Sequence, residues 1–263
     1  MSARPGILAQ EAGMVLCMWR RELLRVRKER ARWIGALAQP LLFWLIIGGG
    51  LSKSFRIPGA EHVGSLQYFF PGMLVMVLLF TSIFATISVV EDRQQGFLQS
   101  VLVAPGTRLA MVAGKVLGVT TLAVVQVVFF LMVAPLAGFP LHGVRWALLA
   151  AVSLLACIGL TAMNFTFAWL LNSVQAYHAI MGVLLIPLWF LSGAMFPPPG
   201  GFLGALMMLN PLTHAVDGLR QALAPDSLGV HGLPVPWLLL ILVAYACAML
   251  LVAAWSCRRR EAR

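Results

Sequence analysis

Charged residues leave long stretches of this chain untouched. The largest uncharged runs are Trp33–Ser52, His62–Val90, Val116–Val144, Trp146–Val216 and Ser227–Cys257. A bilayer core about 30 Å thick is crossed by about 20 apolar residues in a helix. The first, second, third and fifth runs therefore each hold one span. The fourth, at 71 residues, is too long for one and breaks at Asn172-Ser173-Val174-Gln175. Its second part stops at Pro197-Pro198-Pro199-Gly200-Gly201. The pattern predicts an all-α polytopic membrane protein with six transmembrane helices, at about 33–52, 69–90, 112–137, 146–171, 178–196 and 236–257. Residues 1–32 precede this six-span unit (33–257), and 258–263 form a tail.

Three segments outside the spans carry their own pattern. Met14–Arg32 reads as an amphipathic helix, with Val15, Leu16, Met18, Trp19, Leu23 and Val26 against Arg20, Arg21, Arg25, Lys28 and Arg32. A helix of this kind lies in the headgroup plane with its cations toward anionic lipid. Between the second and third spans, Glu91, Asp92 and Arg93 lead through Gly96 into Phe97, Leu98, Val101 and Leu102, which recur at helical spacing before Pro105-Gly106. That stripe needs a covering partner, which the pattern leaves open: the bundle of this chain or another subunit. After the fifth span, Phe202–Leu209 is apolar but far too short to cross. Asn210 then stands as an N-cap with Pro211 at the first helical position, and Asp217 and Arg220 share one face of the following helix. Two short helices between spans suggest a re-entrant hairpin, held against the bundle where its backbone is covered.

Composition narrows the class. The chain is 60% hydrophobic and 11% charged, whereas a globular domain carries roughly 25% charged residues, which excludes a soluble enzyme and a disordered tail. The formal charge of +10 suits either nucleic acid or an anionic membrane face. Position decides. Fifteen of the nineteen cations precede the first span, follow the last, or lie between the second and third; Lys53, Arg56, Arg145 and Arg220 are the remainder. By the positive-inside rule both termini are cytoplasmic, and membrane lipid is the partner rather than nucleic acid. The basic lead is too long for a cleaved signal peptide, so the first span is expected to be retained.

Absences bear on mechanism. Lys115 and Arg145 are expected at helix ends, and no Asp or Glu falls well inside a span, where a proton- or ion-coupled carrier needs titratable groups. Gln126, Asn164, Thr166, Asn172 and Ser192 read as interhelical hydrogen-bonding residues, and Gly114 and Gly118 as a point of close helix approach. Cys17, Cys157, Cys247 and Cys257 show no pairing or zinc spacing, and the scattered His62, His142, His178, His214 and His231 offer no metal or catalytic cluster. No phosphate-binding Gly-rich loop ending in Gly-Lys-Ser/Thr is present, so energy for active transport must come from another polypeptide.

In this order along the chain, Trp19-Arg20-Arg21-Glu22-Leu23, Gly35 to Leu42, Phe70-Pro71-Gly72-Met73-Leu74, Glu91 to Leu98, Leu102-Val103-Ala104-Pro105, Gly114 to Gly118, Leu191 to Pro197 and Leu209 to Arg220 resemble the type-2 integral membrane subunits of ATP-binding-cassette exporters, the transport permeases. The resemblance implies a half-transporter in the cytoplasmic (inner) cell membrane: a second permease copy, identical or related, across the path, and two separate ATPase subunits that bind ATP and Mg. No cofactor is implied in this chain. It makes Glu91, Asp92, Arg93, Gly96, Phe97, Leu98, Val101 and Leu102 the coupling helix that docks on the ATPase, with Phe97 and Leu98 apolar contacts. Arg20, Arg21, Arg25 and Lys28 fall on the interface helix, and Asn210, Pro211, Asp217 and Arg220 on the outer hairpin. Family cargoes are drugs, lipids, glycolipids and polysaccharides. The rival readings are an ATPase-independent channel or secondary carrier, and a membrane-embedded enzyme.

Overall fold

Residues 7–51, 63–97, 106–197, 199–224 and 233–261 are described by a computed structural model, and every regular element among them is helical. Besides two short 3-10 helices (Ala134–Ala137 and Leu141–Gly143), in chain order these are α1 (Ile7–Lys28), α2 (Arg30–Gly48), α3 (Ser65–Gln94), α4 (Arg108–Leu131), α5 (Trp146–Leu170), α6 (Val174–Phe190), α7 (Phe202–Leu209), α8 (Pro211–Leu223) and α9 (Val235–Glu261). Five of them, α2, α3, α4, α5 and α9, are long and apolar enough to cross a membrane. The sixth expected crossing corresponds to α6, which is shorter. Its bounds differ from those read from the sequence for local reasons. Ser173 caps it early, accepting a hydrogen bond from the Ala176 amide at 3.1 Å. At the other end Gly193, with φ of +76°, turns the chain after Phe190. Rising 1.5 Å per residue, α6 is about 26 Å long, near the lower limit for a span.

The bundle is built around α3. From Tyr68 to Val90 every residue except Phe84 is buried, because α2, α4, α5 and α8 pack around it. Four of its hydroxyls are satisfied locally, one turn back. Thr81, Ser82 and Ser88 donate to the carbonyls of Val77, Leu79 and Ala85, and Thr86 to that of Ser82. In a setting without water such back-bonding lets a polar side chain sit on an apolar helix. The same groups then tie α3 to its neighbours. Asn164 of α5 donates to Ser82 Oγ at 2.7 Å, Tyr177 of α6 meets Thr86 at 2.6 Å, and Gln126 of α4 bonds Thr81 and, at 3.1 Å, the Trp33 carbonyl of α2. Thr166 and Ser192 instead bond within their own helix or turn, to the Ala162 and Trp189 carbonyls, and the Asn172 carbonyl accepts from Gln94.

The outer faces are unlike this interior. Leu42, Leu45 and Ile46 of α2, Val128 and Phe129 of α4 with Met132 at its end, and Trp237, Leu240 and Leu251 of α9 are exposed. An apolar surface of this extent needs lipid or another protein around it.

The two short helices differ from each other. On α7 only Met207 is buried, while Phe202 and Leu209 are 85% and 82% exposed. On α8 nearly every residue is buried, against α3, α5 and α9. Asn210 joins them: its Oδ1 accepts from the Leu212 amide at 3.0 Å, its Nδ2 donates to the Leu188 carbonyl at 2.6 Å, and Pro211 starts the helix.

Candidate functional site at the charged end of the bundle

The charged residues gather where α3 ends, and α1 is what gathers them. α1 runs beside the first half of α4, and glycines of α4 set the distance. A Cβ at Gly114 would lie 2.7 Å from Met18 Cβ and from the Val15 carbonyl oxygen; one at Gly118 would lie 2.6 Å from Glu22 Cβ. Gly106, just before α4, meets Met14 in the same way. Glu11 of α1 closes the contact by accepting from the amide of Thr107 at 3.0 Å and its hydroxyl at 2.7 Å.

This close approach buries Glu22, 1% exposed, against Lys115, also 1% exposed. Lys115 donates to Glu22 and to Ser88 of α3. The expectation that Lys115 ends a helix is therefore corrected: it lies inside α4, neutralised by a carboxylate from α1. Sequence reading missed this because Glu22 sits among cations on what looks like a solvated face. The Gly114/Gly118 spacing was a signal of close approach, without naming α1 as the partner.

One turn further along α3 the ion pairs become denser. Arg21 grips Asp92 with both ends of its fork, at 2.7 and 2.6 Å, and Arg25 adds a third bond at 2.7 Å. Arg32, at the start of α2, donates to Glu91 and to Glu29. Arg93 turns the other way, donating to the carbonyls of Trp169 and, at 3.0 Å, Leu171 at the end of α5, with its guanidinium 5.0 Å from the Trp169 ring. Bidentate, charge-assisted bonds of this kind are directional as well as strong. Burial opposes the charge on Arg25, but the hydrogen bond and charge of Asp92 outweigh it and hold the guanidinium pKa above its ordinary value.

The last two turns of α3 are thus a junction: Ser88 leads to α4, Glu91 to α2, Asp92 to α1 and Arg93 to α5. Gly96, with φ of +74°, then ends the helix in the left-handed conformation glycine tolerates best. Phe97 follows, 38% exposed, with the Arg21 guanidinium 3.9 Å above its ring. Glu91, Asp92 and Arg93 belong to α3 itself, so the polar part of the expected separate helix is a continuation of the long one. Leu98, Val101 and Leu102 lie outside the described residues.

The cations of α1 expected on an interface helix divide. Arg20 and Lys28 are exposed, but Arg21 and Arg25 turn inward to Asp92. A buried carboxylate outcompetes solvent for them, which a helical wheel alone does not show. Asn210, Pro211, Asp217 and Arg220 are at the opposite end of α3. Arg220 is 1% exposed, stacks 4.3 Å from the Tyr68 ring and donates to the Gly193 carbonyl at 2.8 Å. Asp217 accepts from Gln221 at 3.2 Å.

The profile of the family described as ABC-2 type transporter matches residues 14–224. The chain belongs to that family. The matched region opens at Met14, where α1 packs on Gly106, and closes after α8, so it takes in both the charged junction and the two short helices. A putative transport permease, ycf38, of Cyanophora paradoxa is 30% identical over 207 residues, 76% of this chain and 71% of that one. Nodulation protein J of Rhizobium leguminosarum bv. viciae is 28% identical over 258 residues, 94% and 95% of the two chains. Nodulation protein J of Rhizobium meliloti (strain 1021) is 28% identical over 229 residues, 82% and 84%. This ABC-2 protein is a transmembrane permease, a transport subunit and not an enzyme, of a family that works with an ABC ATPase.

Proposed function

We propose that this permease forms the translocation path of an ATP-driven exporter, and that the end of α3 receives the stroke of a separate ATPase. On this reading α6 completes six crossings, both termini are cytoplasmic in the inner membrane, a second permease copy faces this one, and Gly96, Phe97 and the residues beyond them dock on the motor. ATP and Mg belong to that partner. One observation carries the proposal: the last two turns of α3 are bonded to four helices at once. A push on Phe97 is therefore shared by α1, α2, α4 and α5 rather than absorbed in a loop. The cargo we infer is an amphiphile, a drug, lipid, glycolipid or polysaccharide. An apolar cleft of ≈ 220 Å³ between α2, α3 and α6, lined by Phe43, Met76, Phe80 and Trp189 with Gln39 at its edge, supports an apolar moiety. An ATPase-independent channel or carrier would place titratable groups near the middle of α3. The polar groups described there are hydroxyls and amides.

Phe97→Asp tests the docking. The variant should insert and fold, because Phe97 is not part of the core. ATPase stimulation and export should fall by about thirtyfold, the factor carried by an interface hot spot worth about 2 kcal/mol. Normal complex assembly with unchanged export would sink the docking assignment.

A further inference from the structure

A groove with a cavity volume of ≈ 700 Å³ runs along α1 toward the end of α3. Arg20, Leu24 and Lys28 lie one helical turn apart and form its wall, with Arg25 beside them. Glu29, Glu91 and Gln95 also line it. The two carboxylates are already engaged by Arg32. The cations are not all engaged. Arg20 and Lys28 are exposed with no ion pair among the described residues, whereas Arg25 is turned to Asp92. Leu16 and Leu24, 60% and 50% exposed, supply apolar steps beside them.

Unpaired guanidinium and ammonium donors beside exposed leucines match an anionic headgroup joined to an acyl chain, not a neutral lipid and not a fully hydrated ion. We propose that the groove binds the phosphate of an anionic membrane phospholipid, held by the exposed donors of Arg20 and Lys28. Because Arg21 and Arg25 of the same helix hold Asp92, a phosphate fixed on α1 steadies its contact with the end of α3, and the charged junction becomes sensitive to the anionic-lipid content of the membrane. The inference rests on α1 being a membrane-surface helix, but not on the presence of an ATPase.

Cys17 lines the groove and is exposed; of the other three thiols only Cys247 is exposed. With Cys247→Ser as background, the rate of maleimide labelling of Cys17 reads occupancy of the full chain in mixed micelles. Phosphatidylglycerol should slow labelling, while phosphatidylcholine at the same mole fraction and inorganic phosphate should not. The double variant Arg20→Gln/Lys28→Gln should weaken the apparent affinity for phosphatidylglycerol about thirtyfold, about fivefold for each cation lost. Arg27→Gln, an exposed cation of α1 outside the groove, should leave it unchanged. Equal protection by phosphatidylcholine, or equal loss in Arg27→Gln, overturns the site in favour of unspecific lipid cover or diffuse charge. Protection by inorganic phosphate alone overturns the lipid as occupant. No lipid effect, with protection by an added ATPase subunit, replaces the lipid with a protein contact. The assay reads binding without a motor, so its failure leaves the Phe97 test standing, and the reverse also holds.

Discussion

Lys115 and Glu22 show most clearly how a single side chain changes meaning in the fold. Each is fully buried, each is the other's counter-ion, and Ser88 supplies a further acceptor for the ammonium. Breaking such a pair from one side leaves an uncompensated buried charge, at a cost of roughly 3–5 kcal/mol, whereas removing both charges is often close to neutral. Lys115→Met and Glu22→Gln should each lower the unfolding midpoint of the detergent-solubilised protein sharply, and the double variant should recover most of the loss. If the two losses simply add in the double variant, the residues are not coupled. Neither position was legible as a pair, because they are far apart in the chain and only the α1–α4 contact brings them together. Asp92 was legible as a functional candidate from the resemblance, but its partners Arg21 and Arg25 were not, since the basic face of α1 reads equally well as lipid-facing.

Helices α1 and α4 owe their contact to residues that have no side chain. Leucine at Gly118 would drive its Cβ into Glu22, and helix propensity, worth at most about 1 kcal/mol in favour of a non-glycine residue, cannot offset that clash. Gly118→Leu should therefore detach α1. A cysteine pair at Trp19 and Thr121, whose side chains meet through the indole nitrogen at 3.1 Å, should be bridged by a bifunctional maleimide in the parent chain and lose that bridge in the variant. Undiminished cross-linking would show that the glycines are not what sets this spacing. The presence of α1 was readable from its amphipathic pattern. Its direction along α4 was not, because an apolar stripe specifies that a face is covered and not by what. The two short helices illustrate the same limit. Both look apolar or amphipathic in isolation, yet α8 is enclosed by three helices while most of α7 is left exposed.

The arrangement of the whole chain turns on α6. If it crosses together with the five longer helices, both termini share one side of the membrane; if it does not, they lie on opposite sides. A fluorescent protein fused after Arg263 should be bright in the cytoplasm, and alkaline phosphatase fused in the α4–α5 connection, after Gly138, should be active outside. A dark cytoplasmic reporter would remove α6 as a crossing and, with it, the placement of α7 and α8 on the outer side.

Length and hydropathy alone determined that this chain is a multi-helical membrane protein, because the bilayer imposes one requirement that any sequence must meet within a short window: enough apolar helix to cross, with its backbone bonded internally. Those requirements are local, so they can be read locally. Three matters were decided only in three dimensions: that Lys115 is neutralised, that Arg21 and Arg25 face Asp92 rather than lipid, and that the end of α3 ties four helices together. Electrostatic and packing partners are chosen by distance in space. Here that distance was set by glycines that let two helices approach, a property no residue carries by itself.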